Sequence, residues 1–176
     1  MTDFAATKAR FHLPEGMIYL DGNSLGPLPK DAPVRMDAVM REEWGEMLVT
    51  GWNRAGWMER PRAVGDRIAR LIGAEPGHVV MGDTLSIKVY QALAAALEMR
   101  PDRRVILSDS GNFPSDLYMA EGLAEMLGDG HELRVVEPGT LAEHLSEEVA
   151  VTLVTEVDYR TGRLHDMAAL TRAAHA

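Results

Sequence analysis

Hydrophobic residues follow one pattern in the first 75 residues and another in the remainder of the chain. MIYLD at 17–21 has the composition of a short strand, and the glycine- and proline-rich segment after it, up to Pro29, excludes regular structure. Apolar residues then recur at helical spacing, which predicts one helix from Asp31 to Leu48 and a second at 61–72. The second helix is expected to have one apolar face, formed by Val64, Ile68, Leu71 and Ile72.

In the second part, short apolar runs alternate with segments that have the length and spacing of helices. Strands are predicted at 78–83, 104–109, 132–137 and 149–157, and helices at 85–100, 114–127, 141–147 and 167–176. Alternation of this kind produces parallel βαβ units in which helices cover the sheet. The predicted fold class is α/β, with a parallel-rich sheet of about four strands flanked by helices.

This change of pattern predicts two parts: 1–75, an N-terminal arm with helices, and 76–176, the first βαβ units of a larger domain. The alternation stops at a helix that ends with Ala176, and a sheet that stopped there would keep an open edge. We therefore expect an incomplete sheet and a chain that is the front part of a longer protein.

The composition narrows the classes of partner. Lys and Arg number 18 and Asp and Glu number 27 among 176 residues, which gives a net charge of −9. Such a chain is poorly suited to nucleic acid or an anionic membrane, so neither is expected as a partner. The absence of cysteine excludes disulfides, cysteine-ligated metals and cysteine nucleophiles. No apolar run reaches the ~20 residues that span a bilayer and no secretory signal is visible, so a cytoplasmic protein is expected.

Several common catalytic motifs do not fit this chain. The six histidines form no helical ligand pair, so no metal site is predicted, and His165 is expected at the surface. Neither glycine-rich nucleotide motif occurs. GNSLG at 22–26 matches the nucleophile pattern of serine hydrolases, but Pro27 and Pro29 prevent the helix that this geometry requires.

Ligands of open parallel sheets bind beyond the carboxyl ends of the strands, and the first predicted end carries an anion site. Leu85 and Ser86 open the helix after it, where free N–H groups and hydroxyls suit a phosphate. The alternative is that Asp83 or Thr84 only caps this helix.

The other strand ends supply an aromatic ring and polar groups. Phe113 is placed to stack on a planar ring and Asp116 to meet a basic ring nitrogen; alternatively, Phe113 fills the core and Asp116 only stabilises a helix start. The end of the last predicted strand offers Thr155 and the polar run 158–161. Together these groups describe a planar phosphorylated cofactor, for which pyridoxal phosphate is the obvious candidate, although residue types alone do not decide it.

A set of longer motifs points to one family. These motifs are IYLDGNSLGP (18–27), EEWG (42–45), GWNRAGW (51–57), NFPSDLYMAEGL (112–123) and YRTGRLHDM (159–167). In this order and spacing they resemble the kynureninases, which are pyridoxal-phosphate-dependent hydrolases of fold type I. The resemblance runs over essentially the whole chain, whereas class V aminotransferases and cysteine desulfurases tend to carry a YLDNAATTP-like segment at the first motif.

The resemblance implies a cofactor, a substrate and site residues. It implies pyridoxal 5'-phosphate, bound by Leu85, Ser86, Phe113, Pro114, Ser115, Asp116 and Thr155. It also implies a substrate pocket, partly across a homodimer interface, that includes Asn23, Ser24 and Trp52; their structural alternative is a turn and its packing. The implied reaction converts L-kynurenine, or its 3-hydroxy form, into anthranilate, or 3-hydroxyanthranilate, and L-alanine in tryptophan degradation and NAD biosynthesis.

The family's Schiff-base lysine has no match in this chain. Lys8, Lys30 and Lys88 are its only lysines, and none lies in the family's lysine motif, which is expected downstream of Ala176. No catalytic residue is therefore assigned, and the chain alone is expected to be inactive. The alternatives are another fold-type-I enzyme, such as a cysteine desulfurase or class V aminotransferase, and a non-catalytic binding or dimer-forming module.

Overall fold

The computed structural model of the chain describes residues 3–176. These residues form two compact units, which we call the helical unit, up to Gly82, and the sheet unit, Asp83–Ala176. No helix in the described part of the chain is both long and apolar enough to cross a lipid bilayer.

The helical unit contains short helices joined by turns. Its elements are α1 (Phe4–Lys8), α2 (Ala32–Ala38), a π-helix (Val39–Glu46), a 3₁₀ turn (Leu48–Thr50), α3 (Gly51–Arg54) and α4 (Arg60–Ile72). The helix predicted from Asp31 is therefore present, and it begins with a proline in its first turn. The strand predicted at 17–21 is wrong, because Ile18 and Leu20 are exposed and this segment joins no strand of the described chain.

Helix α4 forms where predicted but buries a different face. Leu71 and Ile72 are exposed, and the buried residues of the helix are Gly65 and Ala69. A side chain added at Gly65 would overlap the carbonyl of Val79, because the 79–80 segment crosses the helix at this point. Small residues therefore face the neighbouring backbone, whereas Ile68, Leu71 and Ile72 of the predicted apolar face are exposed.

A polar contact joins the π-helix to the start of α4. Trp57 Nε1 donates to Glu43 Oε2 at 2.7 Å, and an Arg60 guanidinium nitrogen lies 3.2 Å from the same oxygen. The hydrogen bond from Trp57 is the main reason that the pKa of Glu43 lies below its ordinary value, and the Arg60 charge lowers it further.

The sheet unit contains three parallel strands in the order β2-β1-β3. Its elements are α5 (Leu85–Met99), β1 (Val105–Asp109), α6 (Pro114–Leu127), β2 (Glu132–Val136), a 3₁₀ turn (Leu141–His144), β3 (Val149–Leu153) and α7 (Met167–His175). The register pairs Asp109 with Val136 on one side of β1 and Ser108 with Leu153 on the other. The predicted α/β class is confirmed.

The predicted strand at 78–83 is wrong, so the described sheet has three strands and not four. Val80 and Met81 are exposed, and the Met81 N–H bonds to the Pro61 carbonyl at the start of α4. An apolar sequence therefore packs beside a helix here and does not pair with a strand. The predicted helix at 141–147 is only a short 3₁₀ turn, and β3 ends at Leu153.

All five residues of β1 are buried, and successive side chains point to opposite faces of the sheet. Ile106 joins a cluster with residues of α5 and α6, namely Leu93, Leu97, Ala120, Leu123 and Ala124. Leu107 joins a second cluster on the other face, with Val105, Leu141 and Val149. The core thus lies on both faces of the central strand and holds its carboxyl end in place.

Two matched glycine substitutions test the close approach at α4. We expect Gly65→Ala to lower the free energy of unfolding by about 1–3 kcal/mol, because its methyl group meets the Val79 carbonyl. Gly122→Ala in α6 is expected to raise it by about 0.5–1 kcal/mol, because nothing lies within 4 Å of the added methyl. Urea unfolding followed by circular dichroism measures both changes in the free energy of unfolding. Changes of the same sign in the two variants would contradict the close approach of Val79 to α4.

Candidate functional site

Three elements of the sheet unit meet at one edge of the sheet. The carboxyl ends of β1 and β3 lie side by side, with Ser108 paired to Leu153. The first turn of α5 reaches the same edge, because Leu85 and Leu153 line one groove of about 360 Å³. The structure therefore brings a helix N-terminus to the edge where ligands of parallel sheets bind.

The Asn112 side chain connects these elements. Its amide nitrogen donates to Ser108 Oγ at 3.1 Å, and the Ser108 hydroxyl in turn donates to the Leu153 carbonyl at 2.7 Å. Its amide oxygen accepts the Phe113 N–H at 2.8 Å and the Thr155 hydroxyl at 2.7 Å. Asn112 is only 4% exposed, so it fixes Phe113 and Thr155 from inside the protein.

Phe113 lies at the rim of the sheet and is 47% exposed, which rules out the alternative that it fills the core. Its backbone is extended at the N-cap of α6, and Pro114 then begins the helix with a backbone already suited to the first turn. Part of the ring contacts Tyr159, with 5.0 Å between ring centroids. The remaining exposed part is available to a ligand.

Asp116 lies in the first turn of α6 and is 5% exposed. Burial raises the pKa of its carboxyl above the ordinary value of 3.8, and the Ser115 hydroxyl, 3.5 Å from Oδ1, offsets this only in part. A buried carboxylate with this environment gains stability from a nearby cation.

The first turn of α5 has no side-chain cap. Thr84 occupies the N-cap position with extended backbone, but its hydroxyl makes no capping hydrogen bond. The Asp83 carboxylate lies 3.1 Å from Lys88 Nζ. Leu85 is exposed and Ser86 half-buried, so this first turn, whose N–H groups have no partner within the helix, is accessible. The alternative of simple capping by Thr84 is therefore not what the structure contains.

The segment after β3 folds back as a hairpin, residues 155–166. Val157 bridges Leu164, and the Asp158 carboxylate accepts the N–H groups of Arg160 at 2.8 Å and Thr161 at 3.1 Å. These bonds, first that from Arg160, lower the pKa of Asp158 below its ordinary value. The hairpin places Thr155 and Tyr159 beside Phe113.

A buried histidine attaches this hairpin to β1. His165 Nε2 lies 2.8 Å from Asp109 Oδ2, and both side chains are almost inaccessible, at 6% and 3% exposure. The prediction of a surface position for His165 is therefore wrong, because its neighbour Asp166 instead caps α7 and the ring turns inward. Gly111 fits between the Asp109 and Asp158 carboxylates, where an added Cβ would come within 3.0 and 2.9 Å of their oxygens.

The residues implied for the substrate pocket lie in the helical unit. Asn23 and Ser24 are exposed in a turn in which the N–H of Ser24 bonds to the Asp21 carbonyl. Trp52 in α3 is 51% exposed and makes an edge contact with Trp57, at 5.8 Å between centroids. Their assignment to a substrate pocket stays a prediction.

Sequence reasoning missed Asn112, Asp109 and His165. Asn112 was visible as the first residue of NFPSD, and Asp109 as a carboxylate that ends an apolar strand. Their distant partners, Leu153, Thr155 and His165, lie 41 to 56 positions away along the chain, so local patterns do not reveal these contacts. No group of three His, Asp or Glu residues able to hold a metal occurs within residues 3–176.

The class of protein follows from the fold and the composition of this edge. A parallel sheet flanked by helices, with a helix N-terminus and polar groups at its carboxyl edge, is consistent with part of a fold-type-I domain. No family model matches the chain.

Individual relatives make the assignment more specific. The chain is 49% identical over 176 residues to kynureninase from Pseudomonas fluorescens, covering 97% of the chain and 42% of that protein. It is 49% identical to kynureninase from Deinococcus radiodurans, covering 98% of the chain and 43% of that protein, and 48% identical to that of Burkholderia pseudomallei strain 1106a, covering 96% and 42%. The chain is a homologue of the kynureninases, as its motifs indicated, and spans about 42% of the length of these relatives.

The Asn112 junction can be tested by removing its amide. Asn112→Ala is expected to lower the free energy of unfolding by about 1–3 kcal/mol, because the Ser108 hydroxyl, the Phe113 N–H and the Thr155 hydroxyl lose their buried partner. Asn53→Ala, which removes an exposed amide, is the control and should change it by less than about 0.5 kcal/mol. Urea unfolding measures both changes. Equal losses of stability in the two variants would contradict the role of Asn112 in joining these elements.

Asp116 gives a pH-dependent prediction. Since its pKa is raised in the folded chain, the charged carboxylate destabilises the fold, and Asp116→Asn should raise the free energy of unfolding at pH 7. This advantage should shrink as the pH falls through the raised pKa and vanish below 3.8, where both states are protonated. Glu121→Gln, at an exposed position of the same helix, is the control. An advantage that does not depend on pH would contradict this account.

Proposed function

We propose that this chain forms the part of a kynureninase that binds pyridoxal phosphate and one wall of the substrate pocket. In the complete enzyme, we propose, L-kynurenine or 3-hydroxy-L-kynurenine is hydrolysed to anthranilate or 3-hydroxyanthranilate and L-alanine. The observation that carries the proposal is identity of 47–49% to kynureninases over nearly the whole chain. The geometry of the sheet edge supports it independently.

The phosphate is proposed to bind at Leu85 and Ser86. Helix α5 has 15 residues and no side-chain cap, so its first N–H groups and the positive end of its dipole favour an anion. The Ser86 hydroxyl adds a donor at the same turn. This position adjoins the end of β3, which supports a phosphate site at the edge that also carries Thr155.

The cofactor ring is proposed to lie between Phe113 and Thr155, with Asp116 near its nitrogen. The exposed part of Phe113 offers an apolar face for stacking, and Pro114 and Ser115 shape the turn below it. Asp116 is buried with a raised pKa, so a protonated ring nitrogen would stabilise its charged form. Pyridoxal phosphate, when bound, supplies an electron-accepting ring that stabilises negative charge at substrate carbon atoms.

Residues of the helical unit are proposed to contact the substrate. Asn23 and Ser24 offer an amide and a hydroxyl in an exposed turn, and Trp52 offers an exposed aromatic ring. A side-chain amide is suited to hydrogen-bond an amino acid, and an exposed flat ring is suited to stack on its aromatic group. A homodimer and a cytoplasmic location belong to the same proposal, because they follow from kynureninase identity.

The chain's own lysines are not proposed as the covalent anchor. Lys88 is the only one in the sheet unit, and its Nζ lies 3.1 Å from Asp83 Oδ2 and 3.1 Å from Gln91 Oε1 on the side of α5. This side chain is therefore engaged on its own helix. We propose that catalysis needs a lysine from outside these 176 residues.

The decisive experiment measures turnover by the complete reading frame. With pyridoxal phosphate present, L-kynurenine should yield anthranilate, followed by its fluorescence, together with alanine. Asp116→Asn should weaken cofactor binding roughly ten- to hundredfold, because a charge-assisted hydrogen bond is worth about 1.5–3 kcal/mol. Glu121→Gln, on the same helix, should leave it unchanged.

Other outcomes would identify the alternatives. Sulfur transfer from cysteine, or a keto acid in place of anthranilate, would assign the protein to another fold-type-I class.

Borohydride reduction in the presence of pyridoxal phosphate should leave this 176-residue chain without an active-site adduct. A specific reduced adduct at Lys88 would contradict the proposal that the covalent lysine lies outside these residues. Lys88→Arg would be the control for that adduct.

A further inference from the structure

We propose that Tyr159 is a positioning residue that holds the Phe113 ring in the orientation needed for stacking on the cofactor. The inference rests on the proposed function, since it concerns the same ring-binding position. It adds a residue from the hairpin to a site otherwise built from helix N-termini and strand ends.

The first observation is the contact between the two rings. Their centroids are 5.0 Å apart and their planes are inclined by 60°, a tilted geometry within the favoured range for aromatic pairs. Phe113 stays 47% exposed in this arrangement. Tyr159 therefore covers one part of the ring and leaves another part accessible at the rim.

The second observation is that the Phe113 backbone is fixed while its side chain needs separate support. The Asn112 amide oxygen holds the Phe113 N–H at 2.8 Å, and Pro114 sets the start of the helix. Neither contact limits rotation of the ring about its first side-chain bond. An exposed aromatic side chain otherwise exchanges between rotamers on a fast timescale. Tyr159 is the neighbour whose ring restricts this rotation.

The third observation is that the backbone that carries Tyr159 is held in place, although the Tyr159 side chain is itself 54% exposed. The turn that carries it is closed by the buried Asp158 carboxylate, which accepts two backbone N–H groups, and by the Gly162 N–H, which bonds to the Asp158 carbonyl at 2.8 Å. The Arg160 guanidinium lies 5.6 Å from the Tyr159 ring centroid and reaches the Ser110 carbonyl at 3.3 Å.

The base of the hairpin is also attached to the central strand. His165 Nε2 lies 2.8 Å from Asp109 Oδ2, and the His165 N–H bonds to the Glu156 carbonyl at 2.9 Å. Tyr159 thus projects from a hairpin anchored at its turn and at its base. A rigid support of this kind reduces the conformational entropy that Phe113 would lose on stacking.

Both contacts of Tyr159 are made through its ring, so the aromatic face matters and the hydroxyl does not. Tyr159→Phe should therefore behave like the unaltered chain. Tyr159→Leu and Tyr159→Ala should weaken binding of pyridoxal phosphate roughly three- to tenfold, the range that corresponds to one aromatic pair. Tyr118→Ala, which removes an exposed tyrosine on α6, is the matched control.

The experiment titrates the protein expressed from the complete reading frame with pyridoxal phosphate and follows the circular dichroism that the bound, achiral ring acquires. The expected result is full binding and an unchanged signal for Tyr159→Phe, with weaker binding and a changed signal for the Leu and Ala variants. Their thermal unfolding midpoints should stay close to that of the unaltered chain, which separates positioning from loss of fold. If only the Ala variant unfolds, Tyr159→Leu decides.

A second measurement does not use the cofactor. Side-chain couplings of Phe113 by NMR should report one dominant rotamer in the unaltered chain and in Tyr159→Phe, and averaging in Tyr159→Leu. If the complete protein binds pyridoxal phosphate and its Tyr159→Leu variant matches it in affinity, signal and couplings, the inference is wrong and the proposed function stands. If the complete unaltered protein does not bind pyridoxal phosphate at all, both are wrong.

Discussion

The carboxyl edge of the sheet depends on one buried side chain, the amide of Asn112. Its oxygen holds the Phe113 N–H and the Thr155 hydroxyl, and its nitrogen bonds to Ser108, whose hydroxyl reaches Leu153. One residue thus joins the ends of two strands to the start of a helix. Because both sides of the amide are satisfied, the cost of burying it is offset by its hydrogen bonds.

Around this junction the structure buries three carboxylates under different conditions. Asp109 lies against His165, and Asp158 accepts two backbone N–H groups that lower its pKa. Asp116 has only the Ser115 hydroxyl to offset burial, and its pKa is raised. The Asp158 carboxylate stabilises the turn of the hairpin, and the Asp109 carboxylate attaches the hairpin to β1 through His165. The third is a carboxylate whose charge the apo fold does not stabilise, which is typical of a group that acts on a ligand.

Homology and geometry support the same proposal by separate routes. Kynureninases from Pseudomonas fluorescens, Deinococcus radiodurans and Burkholderia pseudomallei are 48–49% identical to the chain, which spans about 42% of their length. The sheet unit carries a helix start suited to phosphate, an exposed aromatic ring and a buried carboxylate on one edge. Each of these groups is suited to bind one part of a flat, phosphorylated, basic ring. The proposal assigns exposed polar and aromatic groups of the helical unit to the substrate.

The sequence by itself determined the alternating elements from Leu85 onward, the α/β class and the motif NFPSD, because helical spacing and apolar runs are local signals. It did not determine that 78–83 would pack beside α4, since an apolar run pairs as a strand only where a partner strand is available. It also did not reveal the partners of Asn112 or the inward position of His165. The contacts of Asn112 with Thr155 and of Asp109 with His165 join residues more than 40 positions apart, so only the tertiary structure decided them.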